Sequence, residues 1–154
     1  MLKIGVIDEG RAGAAEKLLH NLAADAPIEI CCGGCGNLDV LVVNKTPDGH
    51  MPPPLLSPRV VVANSDDMQV LQFVSRLGGR IITYGLNPKA AITVSSHADD
   101  NCVICVQRAM ATIHGAPLLP QEFSVNIKGH EGFDRIILGV VAAALVCGAK
   151  FGPQ

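Results

Sequence analysis

Aromatic residues are scarce in this sequence: Trp is absent, Tyr occurs once, and aromatic side chains make up 3% of the chain. Val, Ile, Leu and Ala instead dominate an apolar fraction of 49%. That composition excludes a disordered chain and suits a parallel sheet buried by helices on both faces. The length of 154 residues fits one domain. We therefore predict a single three-layer α/β domain over residues 1–154, with a mostly parallel sheet.

Clusters of Lys and Arg are also missing, and the formal net charge is −2. Nucleic acids and anionic membrane surfaces are bound through concentrated positive charge, so neither is an expected partner. The expected partners are another protein, a second copy of the chain, or a small molecule.

No apolar run is long enough to cross a bilayer. The strongest, Ile136–Cys147, has 12 residues, whereas a membrane helix needs about 20, so we predict a buried core helix. Met1–Ile7 passes from one Lys into a strand-like run without the features of a signal peptide. In a chain without an export signal, six cysteines are expected to be reduced thiols. The predicted location is therefore the cytoplasm.

Short β-branched runs bounded by Gly, Pro, Asn or Asp predict strands. These runs are Leu2–Ile7, Ile28–Cys31, Val40–Val43, Arg59–Ala63, Arg80–Tyr84, Ala91–Ser95, Cys102–Arg108 and Phe123–Ile127. Because the strands cluster late in the chain, we predict that a parallel core ends in a more antiparallel edge.

Apolar residues at helical spacing predict helices over 14–24, 66–77 and 133–147. Ser65-Asp66-Asp67 is expected to supply the N-cap and the acidic first turn of the second helix. The side chains expected to face the core from that helix are Met68, Leu71, Val74 and Leu77.

Three motifs follow one another along the chain. The first is Leu41–His50, a strand that ends in Asn-Lys-Thr-Pro-Asp-Gly-His. The second consists of Val60–Asp67, Ile81–Leu86 and Ala91–Val94. The third is Phe123–Gly129, followed by an alanine-rich helix to Gly148. In this order and spacing the chain resembles the central, ATP-binding domain of the bacterial Mur ligases. The resemblance implies a P-loop-like α/β fold and a connection with peptidoglycan synthesis.

The residues with which those ligases hold ATP are missing here. Their phosphate loop, Gly-x-x-Gly-Lys-Thr/Ser, corresponds to the turn Asp8–Ala15, in which the Lys and hydroxyl positions are Ala or Gly. Asp8 and Glu9 would also repel a polyphosphate. The resemblance therefore implies a vestigial nucleotide site, without a cofactor and without ligase activity. Its residues are Gly10, Arg11, Gly13 and His130, the last in Gly129-His130-Glu131-Gly132, where the ligases have Gly-x-His-Asn.

The loop after the third strand holds a second set of candidate residues. Asp48 and His50 match an acid and an imidazole of the ligase loop, and together with Asn44 they could bind a cation or a polar ligand. A solvated pair of loop side chains is the simpler interpretation. The ligases also carry a modified lysine that helps to bind magnesium, and no lysine occurs here between Met51 and Pro58.

Two Cys-x-x-Cys pairs raise the question of a zinc site, which four thiolates can form. Cys32 and Cys35 lie in a Gly-rich turn, but Cys102 and Cys105 lie in a predicted strand, where residues three apart point to opposite faces. We therefore predict no metal and keep Cys32 and Cys35 as weak candidates for metal binding or redox chemistry. Cys102, Cys105 and Cys147 are interpreted as buried thiols.

Two functions remain open. The first is a non-catalytic Mur-ligase-like protein, a pseudoenzyme with a binding or scaffolding role. The alternative is a degenerate enzyme or sensor that still binds a nucleotide or metabolite at the P-loop-like turn. The absence of a Ser-His-Asp, His-Glu-x-x-His or paired-carboxylate pattern in any one predicted pocket favours the first.

Overall fold

Alternating β-branched and alanine-rich segments build strands and helices in turn along the chain. The computed structural model describes residues 1–8, 12–24, 26, 28–31, 37–46, 57–130 and 133–151. Its helices are α1 (Ala12–Leu22), α2 (Met68–Val74) and α3 (Arg135–Val146). Its strands are β1 (Leu2–Ile7), β2 (Ile28–Ile30), β3 (Val40–Val43), β4 (Val60–Asn64), β5 (Arg80–Tyr84), β6 (Ile92–His97), β7 (Asn101–Val106), β8 (Met110–Ala111), β9 (Pro117–Leu118) and β10 (Gln121–Asn126).

One eight-stranded sheet has the order β10-β7-β6-β5-β4-β3-β1-β2. From β2 to β6 all neighbours are parallel, whereas β7 is antiparallel to both β6 and β10. This confirms the predicted α/β class, the mostly parallel sheet and the antiparallel edge. The short strands β8 and β9 form a separate antiparallel pair that the sequence pattern did not predict.

Alternate residues of the central strands face opposite layers, because successive side chains of a strand point to opposite faces. Val40, Val42 and Val62 pack with α1 and α3, whereas Leu41 and Val43 pack with α2. Helices therefore cover both faces of the central strands, which explains why β3 is wholly apolar and β4 is apolar up to Asn64, with no alternation.

The inward stripe of α2 differs from the predicted one. Val70, Phe73, Val74 and Leu77 are buried, whereas Met68 is 70% exposed, so the prediction that Met68 faces the core was wrong. The side chain of Asp67 accepts a hydrogen bond of 2.9 Å from the backbone N–H of Gln69 and is the N-cap. Capping at Asp67 starts the helix at Met68 and places its first residue on the solvent side.

The apolar segment at the end of the chain is a core helix, as predicted. Every residue from Ile136 to Val146 is buried in α3. The helix ends when the Gly148 and Ala149 N–H groups donate to the carbonyl groups of Leu145 and Ala144, the pairing of a Schellman motif. None of the helices in the described part of the chain is long and apolar enough to span a membrane.

Candidate functional site

The carboxyl ends of β1, β3 and β4 meet at one edge of the sheet because these strands are parallel. From β1 the chain goes first to β2 on one side and then to β3 on the other, so the strand order reverses beside β1. In open α/β sheets ligands bind at such a reversal. A cavity of about 320 Å³ lies there, which we name the switch pocket. Its lining residues are Asp8, Asn44, Lys45, Asn64, Asp134, Arg135 and Ile136.

Asn44 organises the floor of the switch pocket. Its Nδ2 donates to Asp8 Oδ1 over 3.1 Å, and its Oδ1 accepts from the Tyr84 hydroxyl over 2.8 Å. Its backbone carbonyl accepts from Nδ2 of the buried Asn64 over 3.0 Å. Both ends of the Asn44 amide are thus engaged, which fixes its orientation before any ligand binds.

Tyr84 lies beneath α3 with no exposed surface. Burial raises the pKa of its hydroxyl well above the ordinary value, and the negative charges of Asp8, Asp134 and Asp66 raise it further. The hydroxyl is therefore a neutral donor at physiological pH.

Asp66 joins three segments beside the switch pocket. The donors to its carboxylate are Leu86 N at 2.7 Å, Asn87 Nδ2 at 2.8 Å, Asn87 N at 3.2 Å and Arg135 Nε at 2.7 Å. Burial alone would raise the pKa of Asp66, but the hydrogen bonds from Asn87, Leu86 and Arg135 outweigh burial and lower it to about 2. Asp66 is therefore charged at physiological pH and holds Arg135 at the pocket rim.

The structure places three of the predicted site residues. Asn44 lies in the switch pocket. Gly13 lies within α1 and not in a turn, because that helix begins at Ala12. The side chain of His130 is 4% exposed, and its Nε2 lies 3.5 Å from Asp134 Oδ2. The prediction that Gly13 lies in a turn was therefore wrong, because it lies in a helix. Its role in nucleotide binding stays a prediction.

The other predicted site residues lie outside the described part of the chain. They are Gly10, Arg11, Cys32, Cys35, Asp48 and His50. Among the described residues, no group of three or more His, Cys, Asp or Glu side chains is placed to hold a metal ion. Cys102 is buried and Cys105 is half-buried on the other face of β7, which confirms their predicted separation, whereas the prediction that Cys105 is buried was wrong.

The described residues do not form the cationic, metal-binding site that the magnesium triphosphate of the Mur ligases needs. The carboxylates of Asp8 and Asp134 line the switch pocket beside the cations of Lys45 and Arg135, so the pocket has no excess of positive charge for phosphate groups. The described part of the chain also offers no cluster of acidic ligands for the metal. No family model matches the chain, and a search of curated proteins finds no significant match.

Tyr84, Asn64 and Arg135 were not predicted as site residues. A signal for the first two was present, since each is a polar residue at the end of a predicted strand, and the strand before Asn64 is wholly apolar. Polar residues at the carboxyl ends of buried parallel strands meet at one edge, where ligands bind. Arg135 had no comparable signal, because its position depends on a contact with the distant Asp66.

Proposed function

We propose that this protein is a non-catalytic, Mur-ligase-like binding protein that takes a small polar ligand in the switch pocket. The observation that supports this most is the preorganised floor, in which Asn44 is held by Asp8, Tyr84 and Asn64. Polar groups that are already fixed lose little freedom on binding, so they favour recognition of hydroxyl and amine groups.

The charged residues that line the switch pocket restrict the class of ligand that it can bind. Asp8 and Asp134 line it together with the cations of Lys45 and Arg135, and the positive charge of Arg135 is largely offset by its contact with Asp66. Such a site attracts a neutral or amine-bearing ligand and disfavours a polyphosphate. The proposed ligand is therefore a polyhydroxyl compound that is uncharged or carries one ammonium group.

A binding role also agrees with the side chains around the pocket. Among the described residues, no Ser or Thr hydroxyl donates to a His, as the nucleophile of a Ser-His hydrolase would. The order of the ligase motifs supports a cytoplasmic role near cell-wall synthesis. We propose that a protein partner or a second copy of the chain recognises the ligand-bound form of the protein.

A thermal-shift screen of the full chain tests the proposal, because a ligand that binds only the native state raises the melting temperature. The probes are glucosamine, N-acetylglucosamine, glucose 6-phosphate and Mg-ATP. We expect one of the first two, at about ten times its dissociation constant, to raise the melting temperature by about 3 °C. Asp134→Asn should remove the shift, and the matched control Asp99→Asn, at an exposed position away from the pocket, should keep it.

The Mg-ATP probe separates the two functions that remained open. A shift with Mg-ATP, with none from either amino sugar, would replace the proposal with the nucleotide sensor at Gly10 to Gly13. Turnover of ATP would show that the chain is an enzyme. A shift with glucosamine that survives Asp134→Asn would move the ligand out of the switch pocket.

A further inference from the structure

A second cavity, of about 460 Å³, opens between α1 and the turn that follows β10. From α1 it is lined by Lys17, Leu18 and Asn21, and from the turn by Lys128, Gly129 and His130. Lys17 and Asn21 are four residues apart and therefore lie on the same face of the helix. We name this cavity the lysine cavity.

The turn that carries Lys128 has a fixed backbone. The His130 N–H donates to the carbonyl of Ile127 over 3.0 Å, and Gly129 has a φ of 93°, which is the geometry of a type II turn. Asn126 Oδ1 accepts from the Lys128 N–H over 2.8 Å. Since a left-handed φ favours glycine, the sequence itself selects this turn and places Lys128 at the mouth of the cavity.

The lysine cavity is positively charged. Among the described residues that line it none is acidic, and Lys17 and Lys128 come from two different elements. Both are exposed, and within the described residues neither forms an ion pair. The floor is apolar on one side, where Leu18 is 4% exposed, and is completed by the buried imidazole of His130.

We infer that the lysine cavity binds a small oxyanion, the phosphate or carboxylate group of a metabolite, through the ammonium groups of Lys17 and Lys128 and the amide of Asn21. Lysine binds such groups as a point charge, without the bidentate geometry that arginine provides. The apolar floor at Leu18 would contact the carbon skeleton of the same molecule. This site is separate from the switch pocket, and the inference does not depend on the ligand proposed there.

Titration of the full chain with inorganic phosphate, followed by the amide NMR signals, tests the inference at constant ionic strength. We expect saturable shifts at Lys128, Gly129 and Asn21, with a dissociation constant of about 1 mM. Lys17→Ala and Lys128→Ala should each weaken binding about three- to fivefold, the effect of one exposed ionic contact. Lys89→Ala removes an exposed lysine outside the cavity and should change nothing.

Acetate in place of phosphate distinguishes the two sources of the oxyanion. Saturation by acetate with weak phosphate binding assigns a carboxylate ligand, and the reverse assigns a phosphate ligand. Melting temperatures within about 1 °C of the wild type would show that the lysine variants are folded. Equal effects from Lys17→Ala and Lys89→Ala, or shifts that do not saturate, would show general charge attraction and overturn the inference.

Discussion

Asp66 is the residue on which three separated segments depend: the start of α2, the turn after β5 and the start of α3. Replacing it with Asn keeps its shape but removes the charge that strengthens its hydrogen bonds to Leu86, Asn87 and Arg135. We expect Asp66→Asn to lower the free energy of unfolding by about 1–3 kcal/mol in urea titrations. Asp67→Asn is the matched control and should have little effect, because Asn caps a helix as well as Asp does.

The same carboxylate makes stability depend on pH. Its pKa is lowered from 3.8 to about 2 in the folded protein, so its contribution is complete above pH 4 and is lost as the pH falls toward 2. After a discount for solvent screening, this contribution is about 1 kcal/mol. Asp66→Asn should therefore lose less stability than the wild type between pH 4 and pH 2. Parallel pH profiles for the two proteins would contradict the assignment.

The sequence predicted the location of Asp66 but not its role. Ser65-Asp66-Asp67 marked a helix start, and Asp67 is indeed the cap. Asp66 instead accepts hydrogen bonds from residues 20, 21 and 69 positions away. Local spacing contains no information on such partners, because only the packed sheet brings them together.

At the scale of elements, α3 packs closely on β5 at Gly139. A Cβ atom on Gly139 would lie 2.7 Å from Tyr84 Cζ and 2.9 Å from its hydroxyl oxygen. Gly139→Ala must therefore push α3 away from the sheet or displace Tyr84 from Asn44. We expect a loss of about 1–3 kcal/mol in the free energy of unfolding, the usual effect of overpacking a core.

Gly13→Ala provides a control of the opposite sign. It makes the same substitution in a helix, but no atom of the described residues lies within 4 Å of the added methyl group. Alanine is the better helix former, so this variant should gain about 0.5–1 kcal/mol. If both variants were stabilised, the close packing of Gly139 against Tyr84 would be wrong.

The elements most readily predicted were those that local residue patterns determine. Continuous apolar runs such as Val40–Val43 fit only strands buried on both faces, and the alanine-rich segment in α3 fits only a buried helix. The pair of β8 and β9 was missed because two-residue strands are too short to show a period. The inward stripe of α2 was misplaced because a shift of the cap to Asp67 changes which residues face the sheet.

At the scale of the whole molecule, the two cavities differ in charge and adjoin each other: the switch pocket is lined by residues of both signs, and the lysine cavity by two lysines. His130 lines the lysine cavity and lies 3.5 Å from Asp134, which lines the switch pocket. Their residues come from β1, β3, β4, α1, α3 and the turn after β10. From the order of the motifs one can predict that these segments meet at one edge of the sheet. The charge of each cavity cannot be predicted in this way, because it depends on how the side chains pack.

The alkylation rates of the two buried cysteines show whether the whole core unfolds cooperatively. Cys102 is fully buried in β7 and Cys147 is 5% exposed after α3, and both belong to the same apolar cluster. Burial raises the pKa of Cys102 to about 11, and burial together with the charge of Asp39 raises the pKa of Cys147 to about 12. Since the thiolate is the reactive form, both cysteines should resist alkylation in the native protein.

We expect iodoacetamide at pH 8 to modify Cys102 and Cys147 at least about 100-fold more slowly in the native protein than in urea, as measured by peptide mass spectrometry. Cys105, half-buried on the other face of β7, should react in the native state and serves as the internal control. If one core holds the sheet and α3 together, the protection of Cys102 and Cys147 must disappear at the same urea concentration. Separate midpoints would show that α3 detaches from the antiparallel edge before the parallel strands unfold, and the molecule would then consist of two cooperative units.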